Sequence, residues 1–354
     1  MLLKAKKLGE FLPQTVKDLA QVFAEQEFAC FVVGGAIRDI LRGKSAKDID
    51  LATDALPEQI EELFPDSIPT GKAFGTITVK FNDNLYQITT FRKETGYSDN
   101  RHPDAIEYSK DIREDVARRD FTVNALAYSP ATNELIDEYN GLEDLQNKII
   151  RTVGEPARRF EEDGLRVLRA LRFMAVTGFA LEDATAAEVK ARISNYLNLA
   201  AKERVFDELN RIVNSDTPDN ATPLLDWPLL NELDKRVRWA AVVREHSQVR
   251  ELILEKKLNR WIDKLLRYDL DIEKASMEIT DLKIDGIDVM ELGPRGEEVG
   301  RVLETLLEVV IEKRSFNKKP ILIELAKDIM AGFSAQDILQ READKKALAK
   351  GPLF

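Results

Sequence analysis

GGAIRDILRGKSAKDIDLAT, residues 34–53, is the stretch from which the rest of this chain is read. The apolar run FACFVV (28–33) precedes it and reads as a short strand. Gly34 and Gly35 then open a short helical run (36–42) that Gly43 stops. Glycines ahead of a helix let backbone N–H groups approach a phosphate closely, and a helix N-terminus adds partial positive charge. Asp48 and Asp50 follow, one residue apart, in what reads as a strand over 48–52. Residues i and i+2 of a strand point to one face, which projects both carboxylates together. Two carboxylates beside a phosphate cradle suit one or two Mg²⁺ ions held against a triphosphate, the chemistry of nucleotidyl transfer. Taken alone the pattern is a moderate signal, because Gly-Gly turns are common and aspartates so spaced also occur in solvated loops.

Composition bounds the answer. At 354 residues the chain is too long for one ordinary core and implies two to four modules. Charged residues at 32% and aromatics at 7% fit a helix-rich, soluble protein. The single cysteine, Cys30, excludes a disulfide framework and a cysteine-based zinc site, and its apolar neighbours mark it as buried. The opening MLLKAKKLGEF is too charged for a signal peptide, and no apolar run has membrane-span length; both predict a cytoplasmic protein. A net charge of −11 argues against a generic nucleic-acid coat but leaves room for a local basic groove. Arginines concentrate between Arg113 and Arg172, with Arg166, Arg169 and Arg172 at helical spacing.

Along the chain, residues 15–26 read as an amphipathic helix, and LPEQIEELF as a helix with Pro57 in its first turn. GTITVKF (75–81) and LYQITTF (85–91) read as a hairpin joined by Asn82-Asp83-Asn84. Residues 96–103 lack periodicity and read as a loop; from Asp115 the pattern is helical apart from short strands near Leu135 and Ile149. Two long helices are predicted over 156–176 and 202–213, then a helical array with polar linkers at 215–222 and 293–296. The stripe Val299, Val302, Leu303, Leu306, Val309 and Val310 predicts a core-packed helix over 296–313.

Downstream of the opening stretch come RRDFTVNALA (118–127), IDEYNGLEDLQNKIIRTVG (136–154) and RFEEDGLRVLRALRF (159–173). In this order the motifs resemble those of the class II tRNA nucleotidyltransferases, the bacterial CCA-adding enzymes and their poly(A) polymerase relatives. The resemblance is specific over residues 34–173 and weaker through AKERVFDEL (201–209) and IDGIDVMELGPRGEEVG (284–300). It implies an α+β fold: an N-terminal polymerase-beta-like nucleotidyltransferase head (1–140) on a small mixed sheet of about five strands. An all-helical neck (141–205), body (206–280) and tail (281–354) follow, the neck reading the nucleotide base and the tail binding tRNA.

Carried across, the resemblance implies that Gly34 and Gly35 line the triphosphate with Arg38 beside it, and that Asp48 and Asp50 are catalytic and bind Mg²⁺. Arg119, Asp120 and Asn124 hold triphosphate and ribose. Asp163 and Arg166, three apart on a helix, share a face and read the base; taken alone, such a pair is a surface salt bridge. Cytosine and adenine share an exocyclic amine beside a ring acceptor, so one acceptor–donor pair serves both and rejects uracil and guanine. Arg169 and Arg172 meet phosphates. CTP, ATP and the tRNA 3′ end are the implied substrates, and complete CCA addition the implied activity. Terminal A addition and poly(A) synthesis are the alternatives, and a non-catalytic RNA-binding scaffold ranks last.

The loop TGYSDNRHP (95–103) matches one found in full CCA-adding members; its His102 reads as solvated, and His246 as surface. Gln87 stands where the family often has an acid before TTFR.

Overall fold

The computed structural model describes residues 7–46, 48–95, 105–258, 260–267, 271, 274 and 277–348. The loop 96–103 with His102, the first six residues and the last six lie outside the described residues. Contacts divide the chain into two units, Met1–His246 and Ser247–Phe354.

The first unit is built on a six-stranded mixed sheet, one more strand than the sequence predicts. In chain order its strands are β1 (Cys30–Val33), β2 (Asp50–Thr53), β3 (Thr76–Phe81), β4 (Asn84–Thr90), and the two-residue β7 (Ala127–Tyr128) and β8 (Leu135–Ile136). Their spatial order is β3-β4-β2-β1-β7-β8, with β2 and β4 parallel and every other neighbouring pair antiparallel. β1 is buried at all four positions, as its unbroken apolar run requires of a central strand. The predicted hairpin forms at β3–β4. Asn82 and Asp83 have φ of 47° and 60°, the left-handed pair that matches strand twist in a two-residue turn. Two further strands, β5 (Arg92–Thr95) and β6 (Ala105–Tyr108), form a separate antiparallel pair on either side of the predicted loop, where the sequence reading assigned no strand.

The strand predicted over 48–52 begins only at Asp50; Asp48 lies in a bend ahead of it. Alternation along a strand therefore does not orient Asp48. Pro57 opens the Pro57–Leu63 helix as predicted, and the Leu56 N–H finds the Gln59 side chain at 2.8 Å.

The long helix predicted over 156–176 is two, Pro156–Glu162 and Leu165–Thr177. Asp163 sits between them at φ −144° and ψ 105°, and its carboxylate accepts the Leu165 N–H at 3.0 Å, an N-cap arrangement. Gly164 follows because a Cβ there would lie 2.8 Å from the Leu199 carbonyl oxygen. The Leu165–Thr177 helix packs on the Lys202–Val213 helix, which forms where predicted. β9 (Ile149–Ile150) and β10 (Ala180–Leu181) pair beside them in parallel.

The second unit is helical. Its longest helix, Glu297–Glu312, buries Val302, Leu303, Leu306, Val309 and Val310 against Leu322, Leu325, Ile329 and Ile338. That is the predicted stripe with Val299 at its half-buried end. Among the described residues no helix is long and apolar enough to cross a membrane.

Candidate active site

A cavity of about 480 Å³ in the first unit gathers Gly34, Gly35, Arg38, Asp50, Arg119, Asp120, Asn124, Asp163, Arg166, Arg169 and Arg172. Of the candidate site residues that the resemblance implies, only Asp48 is missing from its lining.

The turn after β1 explains the glycines. Gly34 has φ 72° and ψ −134°, a conformation that L side chains rarely adopt. A Cβ on Gly34 would stand 3.0 Å from Arg119 Nη1, and one on Gly35 would stand 3.3 Å from Arg38 Nη2. Bare backbone thus lets two guanidiniums close against the strand-to-helix turn. Arg38 is buried, donates to Asn124 Oδ1 at 2.6 Å and to Asp39, and lies 5.1 Å from the Phe173 ring centroid.

Asp48 and Asp50 are both exposed to solvent. Although open to solvent, the Asp50 carboxyl is crowded by protein groups whose partial desolvation raises it above its ordinary range; Arg119 opposes this, and Asp48 adds to it. Despite lying outside β2, Asp48 is therefore close enough to repel Asp50. The parallel register Leu51↔Ile88, extended by one residue, sets Asp50 level with the exposed Gln87 of β4. The position level with Asp50, where the resemblance often places an acid, thus carries an amide. No cluster of three or more His, Cys, Asp or Glu suited to a metal occurs among the described residues.

Asp120 is the best-connected group. Its Oδ1 accepts from Asn124 at 3.1 Å and from the Phe121 N–H at 2.8 Å; its Oδ2 accepts from Arg169 Nε and Nη2 at 2.8 and 2.5 Å. Burial pushes its carboxyl up, but Arg169, Asn124 and Arg166 outweigh that and hold it well below the usual carboxylate range. Arg119 is held by Asp115, a fully buried carboxylate that also binds Arg118, at 3.0 and 2.7 Å.

The sequence reading put Asp163 and Arg166 on one helix face, but Asp163 lies in the break between two helices and only Arg166 is helical. They still meet at the cavity, each held by a different neighbour. Asp163 Oδ2 accepts from Arg204 at 2.9 Å, and Arg166 donates to Glu162 at 2.7 Å and to the Arg159 carbonyl at 2.9 Å. Arg169 and Arg172, expected to be open to phosphates, each have a carboxylate: Asp120 for the first, and Glu208 at 2.5 Å for the second. Burial lowers the Arg172 guanidinium to about 10 although Glu208 opposes the shift.

Sequence reasoning missed the supporting residues Asp115, Glu162, Phe173, Arg204 and Glu208. Phe173 is buried, and Arg38, Arg169 and Arg172 surround its ring at 5.1, 5.7 and 4.1 Å. Arg204 and Glu208 lie in AKERVFDEL, where their four-residue spacing puts them on one helix face. That spacing was the available signal.

Residues 30–151 match the poly A polymerase head domain family. The CCA-adding enzyme of Lactobacillus helveticus is 41% identical over 207 residues, covering 58% of this chain and 51% of that protein. A Staphylococcus aureus CCA-adding enzyme matches at 38% over a similar share, so the chain spans about half the length of these curated relatives. The CCA-adding enzyme of Lactococcus lactis subsp. cremoris is 31% identical over 402 residues, covering 92% of this chain and 98% of that protein. In fold, the chain is similar to the Bacillus stearothermophilus CCA-adding enzyme solved in complex with CTP. The TM-score is 0.58 at 23% identity, over 90% of this chain and 98% of that one. With a full-length relative at this identity and a nucleotidyltransferase head in register, the chain belongs to the CCA-adding enzyme family.

Proposed function

We propose that this chain adds the nucleotides C, C and A to the 3′ end of tRNA from CTP and ATP, releasing pyrophosphate, in the cytoplasm. The observation that carries this reading is a single cavity joining a bare Gly-Gly turn, the Asp50 carboxylate and a carboxylate–arginine pair, Asp163 and Arg166, at the neighbouring helices. The relatives' shared name supports it. So does the CTP bound to one structural neighbour, and the primer tRNA and ATP analogue bound to another.

In this reading Arg38 and Arg119, closed against Gly34 and Gly35, hold the triphosphate by charge-assisted hydrogen bonds. Asp120 and Asn124 face the ribose; Arg169 holds Asp120 ionised, and a 2′-hydroxyl takes the place of one of the four donors now on that carboxylate. Asp163 keeps spare lone pairs after accepting from Leu165 and Arg204, and takes the exocyclic amine of cytosine or adenine. Arg166, fixed by Glu162, donates to the adjacent ring acceptor. Uracil and guanine present a carbonyl to Asp163 and leave two acceptors opposed in a desolvated site.

Asp48 and Asp50 are the residues to hold magnesium. Two carboxylates without a third suit an ion that keeps several waters and substrate phosphates, and their mutual repulsion favours a cation between them. Magnesium held there supplies activation of the primer 3′-hydroxyl and charge balance on the departing pyrophosphate. The head, neck, body and tail at 1–140, 141–205, 206–280 and 281–354 are the functional divisions of this reading, with base selection in the neck and tRNA binding in the tail.

The test uses three tRNAs, ending before CCA, after C and after CC, each incubated with one nucleotide at a time. CTP enters the first two and ATP only the third, while UTP and GTP incorporate at least a hundredfold more slowly. Equal use of UTP or GTP overturns the base-reading pair. Tails well beyond three nucleotides favour poly(A) synthesis, and incorporation on the third tRNA alone favours an A-adding enzyme. Asp48→Ala and Asp50→Ala each lower turnover by about two orders of magnitude or more; near-normal activity in either removes that residue from the metal site.

A further inference from the structure

Eight arginines line the cavity, and seven of them have a carboxylate partner. The eighth, Arg211, is exposed and has no ion pair among the described residues. It belongs to the Lys202–Val213 helix, where Arg204, Glu208 and Arg211 at spacings of four and three share one face; Arg204 and Arg211 line the cavity, and Glu208 between them pairs with Arg169 and Arg172.

The pairs between this helix and Leu165–Thr177 order that face. Arg204 meets Asp163, and Glu208 meets Arg169 and Arg172, so residue numbers rise together along both helices. Arg211 lies one turn beyond Glu208, at the end marked by Arg172, Phe173 and Arg38 rather than at Asp163 and Arg166. Its positive charge is felt at Arg172, whose proton affinity it helps to lower. Arg38 at that same end adjoins the Gly34-Gly35 turn.

We propose that Arg211 is a further phosphate-binding residue of this site, taking the terminal phosphates of the nucleoside triphosphate and then the departing pyrophosphate. The inference rests on the nucleotidyl-transfer reading above. Two neighbouring guanidiniums with one carboxylate between them carry an excess of positive charge that a polyanion relieves. The terminal phosphates carry most of the nucleotide's charge, whereas the other arginines are largely committed to protein carboxylates. Arg211 needs no protein bond broken before it binds.

The experiment is calorimetric titration of the full chain with pyrophosphate and with CTP, in magnesium, for wild type, Arg211→Gln and Arg211→Lys. Steady-state KM values for CTP, ATP and primer tRNA accompany it. Arg211→Gln weakens pyrophosphate binding about five- to tenfold and raises KM for both nucleotides by a similar factor, leaving KM for tRNA in place. Arg211→Lys keeps the charge but loses the planar fork, and weakens pyrophosphate binding only about two- to threefold. An unchanged pyrophosphate affinity overturns the inference, as does a rise confined to KM for tRNA, which assigns Arg211 to the RNA backbone. If Arg211→Gln fails to unfold cooperatively, the lysine variant decides alone, and full wild-type affinity in it overturns the inference. A wild type that binds pyrophosphate without incorporating nucleotide overturns the functional reading and leaves the Arg211 comparison standing on the titration.

Discussion

Seven of the eight arginines that face the cavity are held where they are by carboxylates. Asp115 holds Arg118 and Arg119, Glu162 holds Arg166, and Asp120 and Glu208 hold Arg169 and Arg172. A flexible arginine loses several rotatable bonds on meeting a phosphate, so fixing it beforehand lowers the entropic cost of binding. The same network leaves the cavity less positive than its eight arginines imply. The residue scale also yields a pH signature away from the site. Cys30 is buried in β1, and burial raises its thiol to about 12, with Asp54 adding to the shift. The native state therefore holds this proton more tightly than the unfolded chain does. That stabilisation is fully present below the unfolded thiol's pKa of about 8.5 and is lost as pH rises toward the folded value. Urea unfolding at pH 10 then gives a stability about 1–2 kcal/mol lower than at pH 8 from this group, and Cys30→Ala abolishes that component. An equal pH slope in wild type and variant contradicts the assignment.

At the scale of elements, the break at Asp163-Gly164 decides the site. A continuous helix through this point lacks the cap that turns Asp163 toward Arg204 and starts the arginine-bearing helix on a new axis. The signal was in the sequence, because aspartate caps helices and the glycine beside it permits close approach. It was overridden by the strong apolar periodicity on either side. Gly164→Ala tests the packing. Its Cβ meets Leu199 O at 2.8 Å and Leu199 Cβ at 3.2 Å, and the substitution destabilises the protein by about 1–3 kcal/mol in urea unfolding. Wild-type stability in the variant means that the segment at Leu199 yields freely. Other elements were legible as they stand. The Asn82-Asp83 hairpin, Pro57 as a helix start and the Val302–Val310 stripe each rest on one local rule. The two-residue strands β7 and β10 were not, because pairings so short depend on the strand beside them.

For the whole molecule, every residue of the candidate cavity lies in the unit Met1–His246, while Ser247–Phe354 has its own helical core. A fragment of residues 1–246 unfolds cooperatively and binds CTP within about threefold of the full chain, but loses most affinity for tRNA. Loss of CTP binding in a folded fragment shows that the second unit is needed for the site. The chain by itself determined the family, the order of its motifs and the residue types of the chemistry. Glycine at a positive φ, paired aspartates and arginines at helical spacing are local requirements that leave a local trace. Only the tertiary structure decided which carboxylate answers which arginine. Asp120 meets Arg169 across 49 positions, Arg204 meets Asp163 across 41, and Arg211 is left with no ion pair among the described residues. Such pairings follow from how two helices and a loop pack, and a charge carries no sign in the sequence of the partner that will neutralise it.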